Sequence, residues 1–376
     1  MTRHIEHGSR WLALAATLTA LVLAVGACTS AATTAPTAAP TEAPTAAPTE
    51  APTAAPTEAP KQYVVGISNT VVGNGWRDEM VCSIKVQARK SGVVSKVIDA
   101  SRNGGATEQI QDIRSLISAG ANLIVVNPAD REALNPVIAE AAQQGIVVVA
   151  VDQAVGAPEA YVVSNDQVAY GRLSAEWVFK QLGGKGTVVE IRGAQGSPAD
   201  TDRHQGFEEA RAAYPDIEVT TVWSNWSIAT ISQEISSLLA SGAKIDGITT
   251  PGAASVVWDA FTAAKRPFVP TAVADLNGDI GPLFQKKDQG ITGIAVSNPA
   301  VVGAAGLTVG LDVLQGKARD KVVLLTPEAW DSATPEGLAK IQEHYDDRLG
   351  PFYSTITEIP GYTDFTSGEL LECEGL

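Results

Sequence analysis

The chain has 376 residues, 45% of them hydrophobic and 18% charged, and its 42 acidic against 27 basic side chains give a formal net charge of −15. That sign disfavours a nucleic-acid partner, whose phosphates call for Lys and Arg. Neither His204 nor His344 stands at metal-ligand spacing with another His or Cys, so no metal site and no cofactor is expected.

Arg3 and Arg10 flank the start of an apolar run, Trp11 to Ala27, that is shorter than the roughly 20 residues needed to span a bilayer. Residues 1–27 therefore read as a cleaved export signal. The run ends in Val25-Gly26-Ala27-Cys28, which resembles a bacterial lipobox. The resemblance implies that the Cys28 thiol takes a diacylglyceryl group and anchors the protein to the outside of the bacterial cell membrane; an ordinary signal peptide with an incidental cysteine is the alternative. Two or more acyl chains hold stably where one does not, at about 0.8 kcal/mol per buried methylene. Between Pro36 and Pro60, Pro recurs every four residues among Ala, Thr and an occasional Glu. Such a stretch buries too little to fold, so residues 28–61 are expected to form an extended tether of at most roughly 100 Å.

From Tyr63 short β-branched runs alternate with helical patterns: strand Tyr63 to Ile67, helix Trp76 to Lys90, strand Val93 to Asp99 and helix Thr107 to Ala119, with Ile110, Ile113, Leu116 and Ile117 on one face. Leu123 to Val126 and Ile146 to Val151 are continuous apolar runs, the mark of strands covered on both sides. Strand Tyr161 to Ser164 leads to helix Val168 to Leu182, and the alternation starts again. Strand Thr187 to Ile191, a helix around Phe207 to Ala213, strand Glu218 to Val222, helix Ile228 to Ala240, strand Ile245 to Thr249, helix Ala253 to Ala264 and strand Val269 to Ala274 follow. Ile291 to Val296 then leads to an apolar helix, Ala300 to Leu314, and one helix is expected near Glu336 to Tyr345.

Two such sets predict two similar doubly wound α/β lobes joined by several crossing strands. The expected division is 62–164 with 297–326 for the N-terminal lobe and 165–296 for the C-terminal lobe. Residues 327–376 form an extension expected to pack on the N-terminal lobe.

Gly183-Gly184-Lys185-Gly186-Thr187 lacks the spacing of a phosphate-binding loop and reads as a helix cap and turn. Outside the cytoplasm disulfides are permitted, and Cys82 is expected to pair with Cys373, two buried free thiols being the alternative.

In a doubly wound sheet, ligands meet the loops at the carboxyl ends of the strands. Those loops carry Asn74-Gly75-Trp76-Arg77, Asn127-Pro128-Ala129-Asp130, Val151-Asp152-Gln153, Ser164-Asn165-Asp166, Asp202 to Phe207, Asn225-Trp226, Ala274-Asp275 and Ser297-Asn298. The set is aromatic, carboxylate, amide and guanidinium, with hardly an aliphatic. A neutral sugar asks for this set: ring faces over its C–H surfaces and forked or ionised partners for its hydroxyls.

At these residues, over Val64 to Gly316, the chain resembles the ribose- and galactose-binding class of ABC-transporter solute-binding proteins, with Gly75-Trp76-Arg77 nearest the galactofuranose- and hexose-binding branch. The resemblance implies that Trp76 stacks on a monosaccharide while Asn74, Arg77 and Asp152 bond its hydroxyls. Arg203 would reach from the second lobe, with Trp226 stacking opposite and Asp275 accepting a further hydroxyl. Asn127, Gln153 and Ser297 complete the implied ligand set, and Ser164, Asn165 and Ser297 fall at hinge crossings. The sequence departs from the pattern at Gln153, where such binders carry Arg, and at Thr250-Pro251-Gly252, where many carry Asn-Asp.

Other readings stand beside these. Trp76 and Trp226 are also compatible with half-buried surface aromatics, Asp152 with a turn former, and Arg203 with a pair to Asp202 or Glu208 on a helix face. Asp130 suits a cap for a helix from Arg131, and His204 a surface position.

The implied mechanism is hinge closure on the sugar by a monomer, followed by delivery to a permease and its ATPase. A sugar sensor acting through a membrane partner is the nearest rival. A glycosidase using Asp152 and Asp275 and a sugar-responsive repressor are the others, the latter disfavoured because an export signal stands where a DNA-binding headpiece would.

Overall fold

The computed structural model describes residues 61–373; the export signal, Cys28 and the tether up to Pro60 lie outside them. Strands and helices alternate as β1 (Tyr63–Asn69), α1 (Gly75–Ser91), β2 (Val94–Asp99), α2 (Ala106–Ser118), β3 (Leu123–Asn127), α3 (Asn135–Gln143), β4 (Val147–Val151) and β5 (Tyr161–Asn165). The chain continues with α4 (Gln167–Gln181), β6 (Lys185–Arg192), α5 (Pro198–Arg211), β7 (Asp216–Trp223), α6 (Ile228–Ala240), β8 (Gly247–Thr249), α7 (Ala254–Ala263), β9 (Thr271–Ala274), α8 (Asn277–Gln285) and β10 (Gly293–Val296). It closes with α9 (Val302–Leu314), β11 (Val322–Leu325), β12 (Ala329–Asp331), α10 (Pro335–His344) and α11 (Ser367–Leu371).

These build two six-stranded sheets, in the orders β11-β5-β4-β3-β1-β2 and β12-β10-β9-β8-β6-β7. All pairings are parallel except that of β10 with β12. The central strands are mostly apolar because helices cover both faces: every residue of β3 is buried. One face of the first sheet packs Val125, Val149 and Val163 with α1 and α9, and the other packs Ile124, Val126 and Val148 with α2 and α3. The second sheet is covered in the same way.

The chain passes between the sheets from β5 to α4, from β10 to α9 and from β11 to β12. A further passage was not legible in the sequence. The segment after Pro327 does not pack on the N-terminal lobe alone. β12 joins the second sheet, where Trp330 and Ile341 share a core with Ile280 and Leu283. The tail then crosses at Ser354, which forms a bridge with Leu276, and buries Ile359, Phe365 and Leu370 in the first lobe. Cys373 is disulfide-bonded to Cys82 on α1, with the two Cα atoms 5.6 Å apart.

α5 differs from its expected extent. It begins at Pro198 rather than near Phe207, so Arg203 lies on a helix and not in a loop. Proline at the first helical position is a start signal, but the polar run that follows has no apolar period to mark it. The expected helix from Arg131 begins instead at Asn135, after a turn in which Asp130 Oδ1 accepts from the amides of Glu132 and Ala133.

Candidate ligand-binding cleft

Loops that follow strands of both sheets line one cavity with about 680 Å³ of open space, its mouth included. The first lobe contributes Asn74, Trp76, Arg77 and Asp152, and the second contributes Arg203, Trp226 and Asp275.

On the first-lobe side the start of α1 does most of the positioning. Asn74 is its N-cap, accepting from the amide of Arg77 at 3.3 Å, which places Trp76 and Arg77 in the first turn beside the cavity. Arg77 is buried and donates to Asn69 Oδ1, 3.2 Å away, at the end of β1. Burial lowers its pKa, opposed by the charge of Asp152. The Trp76 indole N–H is spent on the carbonyl of Asn298 at 2.7 Å, which fixes the ring.

Asp152, the residue after β4, has φ +63°, a left-handed conformation that carries strain of about 1–3 kcal/mol. Its neighbours hold it there. Its amide donates to Val163 O at 3.0 Å, and its carbonyl accepts from Ser164 Oγ at 2.6 Å. Its carboxylate accepts from Asn127 Nδ2 at 3.3 Å and from Gln167 Nε2 at 3.0 Å.

On the second-lobe side, α4 and α5 touch backbone to backbone. A Cβ on Gly171 would lie 1.9 Å from the carbonyl oxygen of Arg203, and one on Gly206 1.9 Å from that of Val168. This close approach lays the Arg203 guanidinium 4.1 Å from the Tyr170 ring centre and lets its Nε donate to Gln167 Oε1 at 2.7 Å. Gln167 thus ties Arg203 to Asp152. Asn225 and Trp226 turn through two successive left-handed residues, φ +51° and +59°. The Trp226 ring then lies over Gly193, where a Cβ would be 2.1 Å from Cζ2.

Asp275 is fully buried, its oxygens accepting from the amide of Asn298 at 2.9 Å and from Ser354 Oγ at 2.7 Å. Burial lifts its pKa to about 6. The amide of Ser354 donates to Glu79 Oε2 at 2.6 Å, and burial holds that carboxyl well above the usual range too. The tail therefore sits between a carboxyl of each lobe.

Three residues of the expected ligand set stand elsewhere. Asn127 lies behind Asp152, its amide shared between that carboxylate and Met80 Sδ. Gln153 donates to Asn127 and Pro128 and accepts from the amide of Ala199 in the other lobe at 3.0 Å. Ser297 is occupied at the crossing by both backbone groups it can reach on Glu328. Gln153 and Ser297 are each one residue from the cavity's edge by sequence, next to Asp152 and Asn298, but neighbouring side chains along an extended chain point opposite ways.

Sequence reasoning missed Phe352, from a tail with no legible periodicity, and Gln167, a helix residue outside the strand-end loops. It also missed an aliphatic wall. Ile228, Ile231, Pro251, Ala253 and Leu276 line the cavity from the second lobe, contrary to the expectation of hardly an aliphatic. The Thr250-Pro251-Gly252 departure was the available signal. His204, read as a surface residue, is half-buried with Nδ1 2.9 Å from Glu190.

The lobes also meet directly. Asn74 Nδ2 donates to the carbonyl of Trp226 at 3.0 Å, and Arg131 pairs with Asp202 at 2.7 Å.

Two parallel α/β sheets joined by several crossings, with a cavity between them lined from both, define a two-lobed ligand-binding protein. Residues 65–318 match the model of the periplasmic binding protein domain, and the chain belongs to that family. It is 30% identical over 224 residues to the xylitol-binding protein of Mycolicibacterium smegmatis, covering 58% of this chain and 63% of that one. It is 24% identical over 265 residues to the ribose import binding protein of Bacillus subtilis, covering 70% and 85%. Among solved structures, an ABC transporter solute binding protein from Thermobispora bispora superposes with a TM-score of 0.70 at 27% identity, over 78% of this chain and 90% of that one.

Proposed function

We propose that this protein captures a monosaccharide or polyol between its lobes by hinge closure and delivers it to an ABC permease, acting as a binding protein and not as an enzyme. The observation that carries the reading is the convergence of Arg77 and Asp152 from one lobe and Arg203 from the other on one cavity flanked by Trp76 and Trp226. Arg203 Nη1 and Nη2 have no protein hydrogen-bond partner among the described residues, so both remain for ligand oxygens. The two indoles offer faces for C–H surfaces. The names of the relatives, for xylitol and ribose, support the same class of ligand.

Closure draws its free energy from contacts that an open form lacks, here those of Arg203 and Trp226. In this reading Asn74, Trp76, Arg77, Asp152, Arg203, Trp226 and Asp275 surround the ligand. Asn127, Gln153, Ser164, Asn165 and Ser297 position those groups or form the crossings. Cys28 anchors the protein and keeps the cleft within reach of the permease.

A thermal-shift screen of the full chain against aldoses, furanoses, inositols and linear polyols tests the proposal. A ligand at a hundred times its dissociation constant adds about 2.7 kcal/mol, which is readily visible. No shift with any of them contradicts it.

A further inference from the structure

The cavity is chemically lopsided. Its ionised groups, Arg77, Asp152 and Arg203, come from the start of α1, the end of β4 and the middle of α5. The wall built by α6 and by the loops after β8 and β9 instead presents Ile228, Ile231, Pro251, Ala253 and Leu276, with Phe352 of the tail beside them.

The polar atoms on that side are already engaged within the protein. Ser224 Oγ donates to Arg192 O at 2.6 Å, the amide of Gly252 donates to Thr250 Oγ1 at 3.3 Å, and both oxygens of Asp275 accept from the protein. A hydroxyl pressed against the side chains of Ile228, Ile231 and Pro251 loses its water and gains no partner from them, whereas a methyl in the same place gains burial.

Resting on the reading of the cleft as a sugar or polyol site, we propose that its ligand class is a deoxy sugar: a monosaccharide whose hydroxyls meet the Arg77, Asp152 and Arg203 side and whose terminal carbon is a methyl seated on the wall of Ile228, Ile231 and Pro251. The polar side fixes the ring and the wall selects against a primary hydroxyl at its end. Apolar pockets separate ligands that differ by one such group by about tenfold to a hundredfold.

The test is calorimetric titration of the full chain with matched pairs: D-fucose and D-galactose, L-rhamnose and L-mannose, 6-deoxy-D-glucose and D-glucose, 5-deoxy-D-ribose and D-ribose. At least one pair is expected to bind with the deoxy member tighter by tenfold or more. Ile228→Thr, a half-buried position that tolerates a hydroxyl, should bring that pair within about threefold by giving the wall a hydrogen-bonding group. Equal binding within every pair, or tighter binding of the hydroxylated members, overturns the deoxy assignment and leaves the sugar-binding reading standing. A preference that Ile228→Thr leaves unchanged overturns the role of this wall. Binding of no member overturns the assignment, and the thermal-shift screen with furanoses, inositols and linear polyols then decides the reading beneath it separately.

Discussion

Arg131 and Asp202 meet across the cleft, with Arg131 Nη2 2.7 Å from each carboxylate oxygen of Asp202. Arg131 follows β3 in the first lobe and Asp202 lies on α5 in the second, so the pair exists only while the lobes are together. Both side chains are partly exposed, and such pairs contribute about 0.2–1 kcal/mol. Arg131→Ala should therefore weaken ligand binding by about two- to fivefold, mainly through faster release, with a smaller deficit at high salt. Stopped-flow dissociation at two ionic strengths checks this.

Asp279 gives the fold a pH signature. It is fully buried at the start of α8, its Oδ2 has no hydrogen-bond partner, and burial raises its pKa to about 8. A carboxyl that holds its proton more tightly when folded stabilises most below its unfolded pKa. Stability is then lost as pH rises from about 4 through the folded value. Asp275, raised to about 6, acts in the same direction over a narrower window. Asp279→Asn, which mimics the protonated acid, should change Tm little at pH 4 and raise it at pH 8.5, by about 2–4 °C per kcal/mol relieved. Scanning calorimetry at the two pH values measures it.

The disulfide joins residues 291 apart and pins the tail to α1, the helix that carries Trp76, Arg77 and Glu79. Closing so long a loop restricts the unfolded chain, an effect of about 2–5 kcal/mol. Cys373→Ser should lower Tm by several degrees, and added reductant should lower that of the native chain to the same value. A double variant, Cys82→Ser with Cys373→Ser, should show no response to reductant.

Gly193 controls the seat of Trp226. Gly193→Ala would drive a methyl into the indole at 2.1 Å, displacing the ring from the cleft. Affinity should fall at least tenfold, about 1.4 kcal/mol, with the sheet intact by circular dichroism. Gly196→Ala is the control. Its Cβ meets nothing within 4 Å, so despite its φ of +84° it should reduce stability slightly and leave affinity within twofold.

Both sheets were legible because their strands are continuous apolar runs and their covering helices keep a 3.6-residue period, as in Ile110, Ile113, Leu116 and Ile117. α8 was not, since Pro282 lies inside it and Gly278 and Gly281 break its pattern. β12 is three residues long, too short to carry a period. The aromatics and ionised residues of the cleft were legible because strand-end loops collect them. The parts supplied through tertiary approach were hidden: Gln167 from a helix start, Phe352 from the tail, and the aliphatic wall from residues that read as ordinary core.

The claim that the ligand is held between the lobes is tested most directly by calorimetric titration of the best-shifting sugar or polyol into the wild-type protein and into Arg203→Met. That variant keeps an unbranched side chain at this position of α5 while removing the second lobe's guanidinium, which lies over Tyr170. One-to-one binding by the wild type, with a Kd raised tenfold or more in Arg203→Met and a cooperative unfolding transition retained in the absence of ligand, is the expected result. Equal affinity in the two proteins would contradict capture between the lobes.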